Sequence, residues 1–171
     1  MRGAAPASVA VIDIGSNSIK SLVAVRPIAG GGVHSLHAQT IEARISAGIN
    51  AAPPQLSGTG MARGVDAVRD LLAEAAAFSP QQTVLVATSA VRDARNGAEF
   101  RHRVQAATGH PIRLLGGGEE AALIGRGLTC DPALAARRDF YVFDLGGGSM
   151  ECLAFRDRRV VAAVSLQLGC V

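Results

Sequence analysis

Residues 9–26 read VAVIDIGSNSIKSLVAVR, and residues 140–157 read FYVFDLGGGSMECLAFRD. At an offset of 131 the two stretches share five residues: Val11 and Val142, Asp13 and Asp144, Gly15 and Gly146, Ser18 and Ser149, Leu22 and Leu153. The other positions mostly exchange apolar for apolar. Each copy is an apolar run with a carboxylate near its end, then a tight turn of Gly, Ser and Asn, then a second β-rich run. That is the pattern of a hairpin.

The repeat has a chemical meaning beyond hairpin grammar. A turn rich in Gly and Ser directs several backbone N–H groups at one anion, and a Cβ there would block close approach to a phosphate. A carboxylate beside such a turn repels phosphate, so its use is as a ligand, direct or through water, for a hard cation that neutralises the phosphate oxygens. Two such loops facing one another would clamp a phosphate chain with its metal. The alternative is two ordinary Gly-containing hairpins, each Asp capping its own turn. The shared register of the copies favours phosphate binding.

Working outward, residues 8–14 read as a buried strand, residues 19–26 as its hairpin partner and residues 34–44 as a third, more polar strand, after a turn at Gly30-Gly31-Gly32. Residues 46–54 are a Gly/Pro/Asn-rich loop. The period then turns helical over residues 56–78, with Met61, Val65, Val68, Leu72, Ala75 and Ala76 on one stripe and Pro80 as the stop. Residues 83–87 are a short central strand. Asn96 and Glu99 resemble a capping box for a helix ending at Gly109. Residues 111–115 are another strand, and a helix spans about residues 119–128. The order βββαβαβα describes an α/β lobe whose mixed sheet carries helices on its faces. Strands at residues 140–145, 149–155 and 160–166 then begin the pattern again, with no crossover helix following them to cover the meander.

Composition limits the function classes. Of 171 residues, 49% are apolar and 18% charged, so a core forms and disorder is excluded. Aromatics are 4%, which makes that core aliphatic. Seventeen basic residues against fourteen acidic ones leave +3, with no block of like charge, so neither the balance nor its distribution marks a nucleic-acid binder. No run approaches about 18 uninterrupted apolar residues, so no membrane partner is expected. Cys130, Cys152 and Cys170 are too few and too scattered for a disulfide framework or a zinc site, which fits a reducing cytoplasm. The four histidines have no partner at metal-ligand spacing and are expected at the surface.

The duplicated hairpins resemble the two phosphate loops of the actin, sugar kinase and heat-shock ATPase superfamily. The wording Asp13-Ile-Gly-Ser-Asn-Ser18 and Asp144-Leu-Gly-Gly-Gly-Ser149, with Glu151 two places on, resembles the exopolyphosphatase/guanosine pentaphosphate phosphatase (Ppx/GppA) family. Three further stretches fit it: Ala87-Thr-Ser-Ala-Val-Arg-Asp93, Gly118-Glu-Glu-Ala121 and Leu168-Gly-Cys-Val171. The resemblance implies a ribonuclease H-like (actin-like ATPase) lobe over residues 1–128, and over residues 139–171 the first β-meander of a second, truncated lobe. On this reading the chain is a fragment of a longer enzyme, or its last hairpins pack on the first lobe or on another chain as a homodimer.

The same resemblance assigns roles. Glu120 is the base that orients and deprotonates the attacking water, and Arg92, expected in a loop past a strand end, holds the phosphate to be cleaved. Gly15, Ser16, Asn17 and Ser18 form the first phosphate loop, and Gly146, Gly147, Gly148 and Ser149 the second. Asp144 and Glu151 resemble the family's Mg²⁺ site, with Asp13 as their counterpart in the first copy. Without the family, Glu119 and Glu120 are a favourable pair in a helix's first turn, and Arg92 is a surface residue paired with Asp93. Lys20, the repeat-mate of Glu151, either presents a cation where the second loop presents an anion or is solvent-exposed. The implied reaction is Mg²⁺-dependent hydrolysis of a terminal phosphoanhydride in inorganic polyphosphate or guanosine pentaphosphate. The alternatives are a catalytically weak module that binds phosphate compounds, or an ATP-dependent kinase of the same superfold.

Overall fold

The computed structural model describes residues 7–26, 32–47 and 53–170. Most of the Gly30–Gly32 turn, the middle of the loop at residues 46–54 and Val171 lie outside the described residues. Strands β1 (Ser8–Ile14), β2 (Ile19–Val25) and β3 (His34–Ile41) form an antiparallel meander, and β4 (Gln82–Ala87) and β5 (Ile112–Leu114) add in parallel on the other side of β1. The spatial order is β3-β2-β1-β4-β5, the mixed sheet expected from the element order.

The alternation of β1 explains its place. Ala10, Ile12 and Ile14 all face inward and are fully buried, and Ile19 and Val23 of β2 follow them. Helices α1 (Gly58–Ala76) and α3 (Gly97–Thr108) close that face with Val68, Leu71, Phe100 and Val104. The buried stripe of α1 is turned slightly from the expected one: Leu71 is in the core, and Ala76 is exposed. Ser57 caps α1 by accepting from the Gly60 N–H.

Three local expectations are corrected. Asn96 does not cap α3 with its side chain. Its amide instead pairs with both backbone groups of Leu56, accepting from the N–H at 2.9 Å and donating to the carbonyl at 2.9 Å. Leu56 is buried, so its backbone needs these partners more than an exposed helix end does. The third strand stops at Ile41 rather than at residue 44, because the chain turns inward there: Ala43 and Ile45 enter the core and Arg44 adopts φ 46°. His37, expected at the surface, is half-buried, stacked on Phe78 and hydrogen-bonded to Glu74.

Helix α4 (Gly117–Cys130) leads into a second sheet of β6 (Phe140–Leu145), β7 (Met150–Arg156) and β8 (Arg159–Leu166), an antiparallel meander in the order β6-β7-β8. The turn between β7 and β8 is Asp157-Arg158, both at positive φ, which suits a two-residue hairpin.

The meander is not bare. Ala121, Ile124 and Leu128 of α4 pack on Phe140, Val142, Leu153 and Phe155, and the rings of Phe140 and Phe155 stack at 4.3 Å. The helix that ends the first run of elements therefore covers one face of the second sheet. The opposite face is open, with Tyr141 77% and Phe143 69% exposed.

Glycine sets how closely α4 lies on β8. A Cβ at Gly125 would come within 2.6 Å of Val160 Cγ2 and 3.3 Å of Leu153 Cδ2, whereas one at Gly127 would meet nothing. Overpacking a contact of this kind costs about 1–3 kcal/mol, while alanine is better than glycine in an open helix site by about 0.5–1 kcal/mol. Urea unfolding is accordingly expected to show Gly125→Ala destabilised and Gly127→Ala stabilised by those amounts. Equal effects of the two would contradict the packing of α4 on β8.

Candidate functional site

The two hairpin turns have the same hydrogen bond at corresponding places. The Gly15 N–H donates to the Ser18 carbonyl at 3.1 Å, and the Gly146 N–H to the Ser149 carbonyl at 2.8 Å. The strand registers repeat as well, Asp13 opposite Lys20 and Asp144 opposite Glu151. The sequence repeat is thus a structural one, and its carboxylates occupy equivalent positions in the two sheets.

Each loop is fastened from outside. The segment after β3 holds the first: Arg44 N–H donates to the Asn17 carbonyl at 2.7 Å, and the Ser46 N–H and Oγ donate to the Ser16 carbonyl at 3.2 and 3.0 Å. The closing segment holds the second, with the Cys170 N–H donating to the Gly146 carbonyl at 3.2 Å. Gly169 lies so close to Gly147 and Gly148 that a side chain there would overlap their backbone.

The loops meet one another directly. A Cβ on Gly148 would reach Ser89 Oγ at 2.6 Å and Ser16 Oγ at 3.0 Å. Ser16 and Ser89, both buried, have their hydroxyls 3.5 Å apart. Between the loops is a cleft of about 290 Å³. It is lined by Asp13, Gly15, Ser16, Asn17, Ser18, Glu120, Asp144, Gly146, Gly147, Ser149 and Glu151, all expected from the sequence. Lys20, Thr88, Ser89, Leu145 and Cys170 line it too. Thr88 and Ser89 follow the C-terminal end of β4, next to the end of β1, and that end of a parallel pair is where α/β sheets place ligands.

Gly148 and Arg92 do not line the cleft. Gly148 lies behind it, at the contact between loops. Arg92 is in a short helix, α2 (Ser89–Asp93), rather than in a loop. Its guanidinium is engaged by Asp93 (Nε to Oδ1, 3.1 Å), by the Leu115 carbonyl (Nη1, 2.9 Å) and by Glu120 Oε2 (Nη1, 3.4 Å). The expected surface pairing with Asp93 is present, and so is a contact with the proposed base. Glu119 instead pairs at the surface with Arg113.

Electrostatics single out Glu120. Burial first, then the charges of Glu151 and Asp13, push its carboxyl up to about 7, against the pull of Arg92. Burial likewise raises Asp13, reinforced by Asp144 and opposed by Lys20. Four carboxylates lining one small cleft define a site for positive charge. Among the described residues no three His, Cys, Asp or Glu side chains converge as a metal site, so Asp13, Asp144 and Glu151 do not make a preformed three-ligand set. Mg²⁺ is commonly held by one or two carboxylates with water and substrate phosphates completing its shell. The facing pair Asp144 and Glu151, hard oxygen donors both, fits that manner of binding.

This arrangement of repeated turns and carboxylates has relatives. The sequence matches the Ppx/GppA phosphatase family over residues 24–171. The chain belongs to that family. Among solved structures it resembles an exopolyphosphatase from Cytophaga hutchinsonii, with a TM-score of 0.86 and 21% identity over 95% of this chain and 51% of that one. A Ppx/GppA family member from Aquifex aeolicus gives 0.79 and 22%, over 96% and 52%. An exopolyphosphatase-like protein gives 0.83 and 28%, over 95% and 51%. The expected actin-like architecture stands, and the chain spans about half the length of these Ppx/GppA-type structures. Among the described residues no helix is long and apolar enough to cross a membrane.

The raised Glu120 carboxyl has a consequence for stability. Its folded-state pKa of about 7 lies above the ordinary 4.5, so between those values the folded chain holds more proton than the unfolded one. Stability is therefore lost as pH rises through that window. Urea unfolding at pH 5 to 8 is expected to show a fall with pH in the wild type that is smaller in Glu120→Gln. Parallel pH profiles for the two would mean that Glu120 is not raised.

Proposed function

We propose that the two loops bind the end of a phosphate chain, inorganic polyphosphate or guanosine pentaphosphate, and that the cleft hydrolyses its terminal phosphoanhydride. Family membership supports phosphatase chemistry. The single observation that carries the specific reading is a phosphate-sized cleft with a Gly/Ser turn on each side and one carboxylate, Glu120, with a pKa near neutrality.

The residues divide the work as follows. Backbone N–H groups of residues 16–18 and 147–149, with the hydroxyls of Ser16, Ser18 and Ser149, face the phosphate oxygens. Glu120 takes a proton from a water as its oxygen attacks the terminal phosphorus. The bridging P–O bond breaks, and orthophosphate leaves with the shortened chain as the other product. A pKa near the working pH suits a general base, and such a base contributes about 10²–10⁴-fold. Arg92 sets the position of Glu120 through their contact, and reaches a phosphate only by giving up a present partner. Asp144 and Glu151, with Asp13 nearby, would hold Mg²⁺, which neutralises phosphate oxygens and orients the anhydride for in-line attack. The setting expected for this chemistry is the reducing cytoplasm.

A second reading has an observation of its own. The chain spans about half the length of its structural neighbours, and the outer face of its second sheet is open at Tyr141 and Phe143. As it stands, such a chain would serve as a phosphate-binding module, or act only with a further polypeptide covering that face.

Phosphate release from polyphosphate, guanosine pentaphosphate and ATP, with and without Mg²⁺, separates the readings. Hydrolysis is expected on at least one of the first two, with a loss of about 10²-fold or more in Glu120→Gln. Release that survives Glu120→Gln unchanged removes Glu120 as the base. Polyphosphate binding without any release supports the module, and turnover confined to ATP with an acceptor supports a kinase.

A further inference from the structure

Glu151 is the most enclosed of the cleft's carboxylates, 2% exposed, beneath the first turn of α4. A carboxylate taken out of water needs donors or a cation. The donor found for it among the described residues is Ser165, its cross-strand partner, whose Oγ donates to Glu151 Oε1 at 2.8 Å. The same serine has a second neighbour. A Cβ on Gly117, the first residue of α4, would meet Ser165 Cβ at 2.7 Å and Oγ at 2.8 Å. Only a glycine lets the helix start that close to β8, and Glu120 stands three residues further along, its N–H bonded to the Gly116 carbonyl at 2.9 Å.

We propose that Ser165 is the positioning residue of the cleft, fixing Glu151 with its hydroxyl while seating, against Gly117, the helix start that carries Glu120. The proposal rests on the reading of Glu151 as a metal ligand. Ser165 does not line the cleft, so its influence passes through the two acids. With Oε1 tied to β8, the carboxylate is held in one rotamer and Oε2 remains for a cation. Removing the hydroxyl leaves a buried acid free to turn. Hydrogen bonds of this kind to a ligating carboxylate are typically worth about 10–100-fold in metal affinity. The helix seat makes Ser165 the residue through which the metal pair and the base keep a fixed relation.

The test compares wild type, Ser165→Ala, Ser165→Thr and Glu151→Gln by two measurements. One is the Mg²⁺ dissociation constant from calorimetry in the presence of inorganic pyrophosphate. The other, free of metal, is the ¹³C carboxyl resonance of Glu151 at fixed pH, assigned by its loss in Glu151→Gln. Ser165→Ala is expected to weaken Mg²⁺ about tenfold or more and to move the resonance, with Ser165→Thr close to wild type in both. Circular dichroism establishes that each variant is folded. If Ser165→Ala is not, Ser165→Cys, of similar size but a weaker donor, is read in its place.

Wild-type Mg²⁺ affinity in Ser165→Ala, when Glu151→Gln is weakened, overturns the proposal. So does an equal loss in Ser165→Thr. If Glu151→Gln binds Mg²⁺ like the wild type, the metal reading of Glu151 fails. The positioning role is then decided by the resonance alone: supported if it moves in Ser165→Ala, overturned if it does not.

Discussion

Gly148 lies against the hydroxyls of Ser16 and Ser89, and the cleft depends on that contact. The three residues belong to the second loop, the first loop and the start of α2, so two sheets and a helix meet at one point. A side chain at position 148 would reach Ser89 Oγ at 2.6 Å and push the loops apart. Close approach is what brings the turns of both hairpins to the wall of a single cleft. Anchors on both sides, Ser46 for the first loop and Gly169 with Cys170 for the second, keep these loops from acting as independent hairpins.

The same cleft concentrates negative charge. Asp13, Glu120, Asp144 and Glu151 line one small space, with Lys20 the single cationic side chain among the described lining residues. Burial is the main cause that raises Asp13 and Glu120; Glu151 adds to the rise of Glu120, while at Asp13 the pull of Lys20 outweighs the push of Asp144. A bare phosphate chain would add to the negative charge. On the function proposed above, the phosphate would arrive with its countercharge and the near-neutral Glu120 would exchange a proton with water. Arg92 counters the rise of Glu120 through their contact, so this carboxyl remains partly ionised at neutral pH.

The hairpins of this architecture were readable from single residues. Period-two alternation around Asp13 and Asp144, interrupted by Gly-rich turns, gave the pairing of β1 with β2 and of β6 with β7, together with ten of the cleft's lining residues; Glu120 came only from the family resemblance. Thr88 and Ser89 were not readable in this way, because their place follows from the parallel pairing of β4 with β1, a contact made across more than 70 residues of chain. Asn96 illustrates a different limit. Its local spacing to Glu99 favours a cap, but a buried backbone at Leu56, distant in sequence, competes for the same amide and is the better partner.

Helix α4 shows why amphipathic pattern alone leaves architecture open. Its apolar side at Ala121, Ile124 and Leu128 states that it must be covered, and says nothing of which sheet does the covering. The glycines decide: Gly117 fits over Ser165 and Gly125 over Val160, so the helix lies along β8 running opposite to it. With its apolar side on the second sheet, α4 leaves the first lobe at its N-terminal end, where Glu119 still pairs with Arg113 of β5 and Glu120 with Arg92 of α2. One helix therefore packs on the second sheet with its apolar side and reaches the elements of the first through adjacent acids, Glu119 paired at the surface and Glu120 lining the cleft. The first turn of α4 is thus the place where the position of Glu120 depends on both sheets at once.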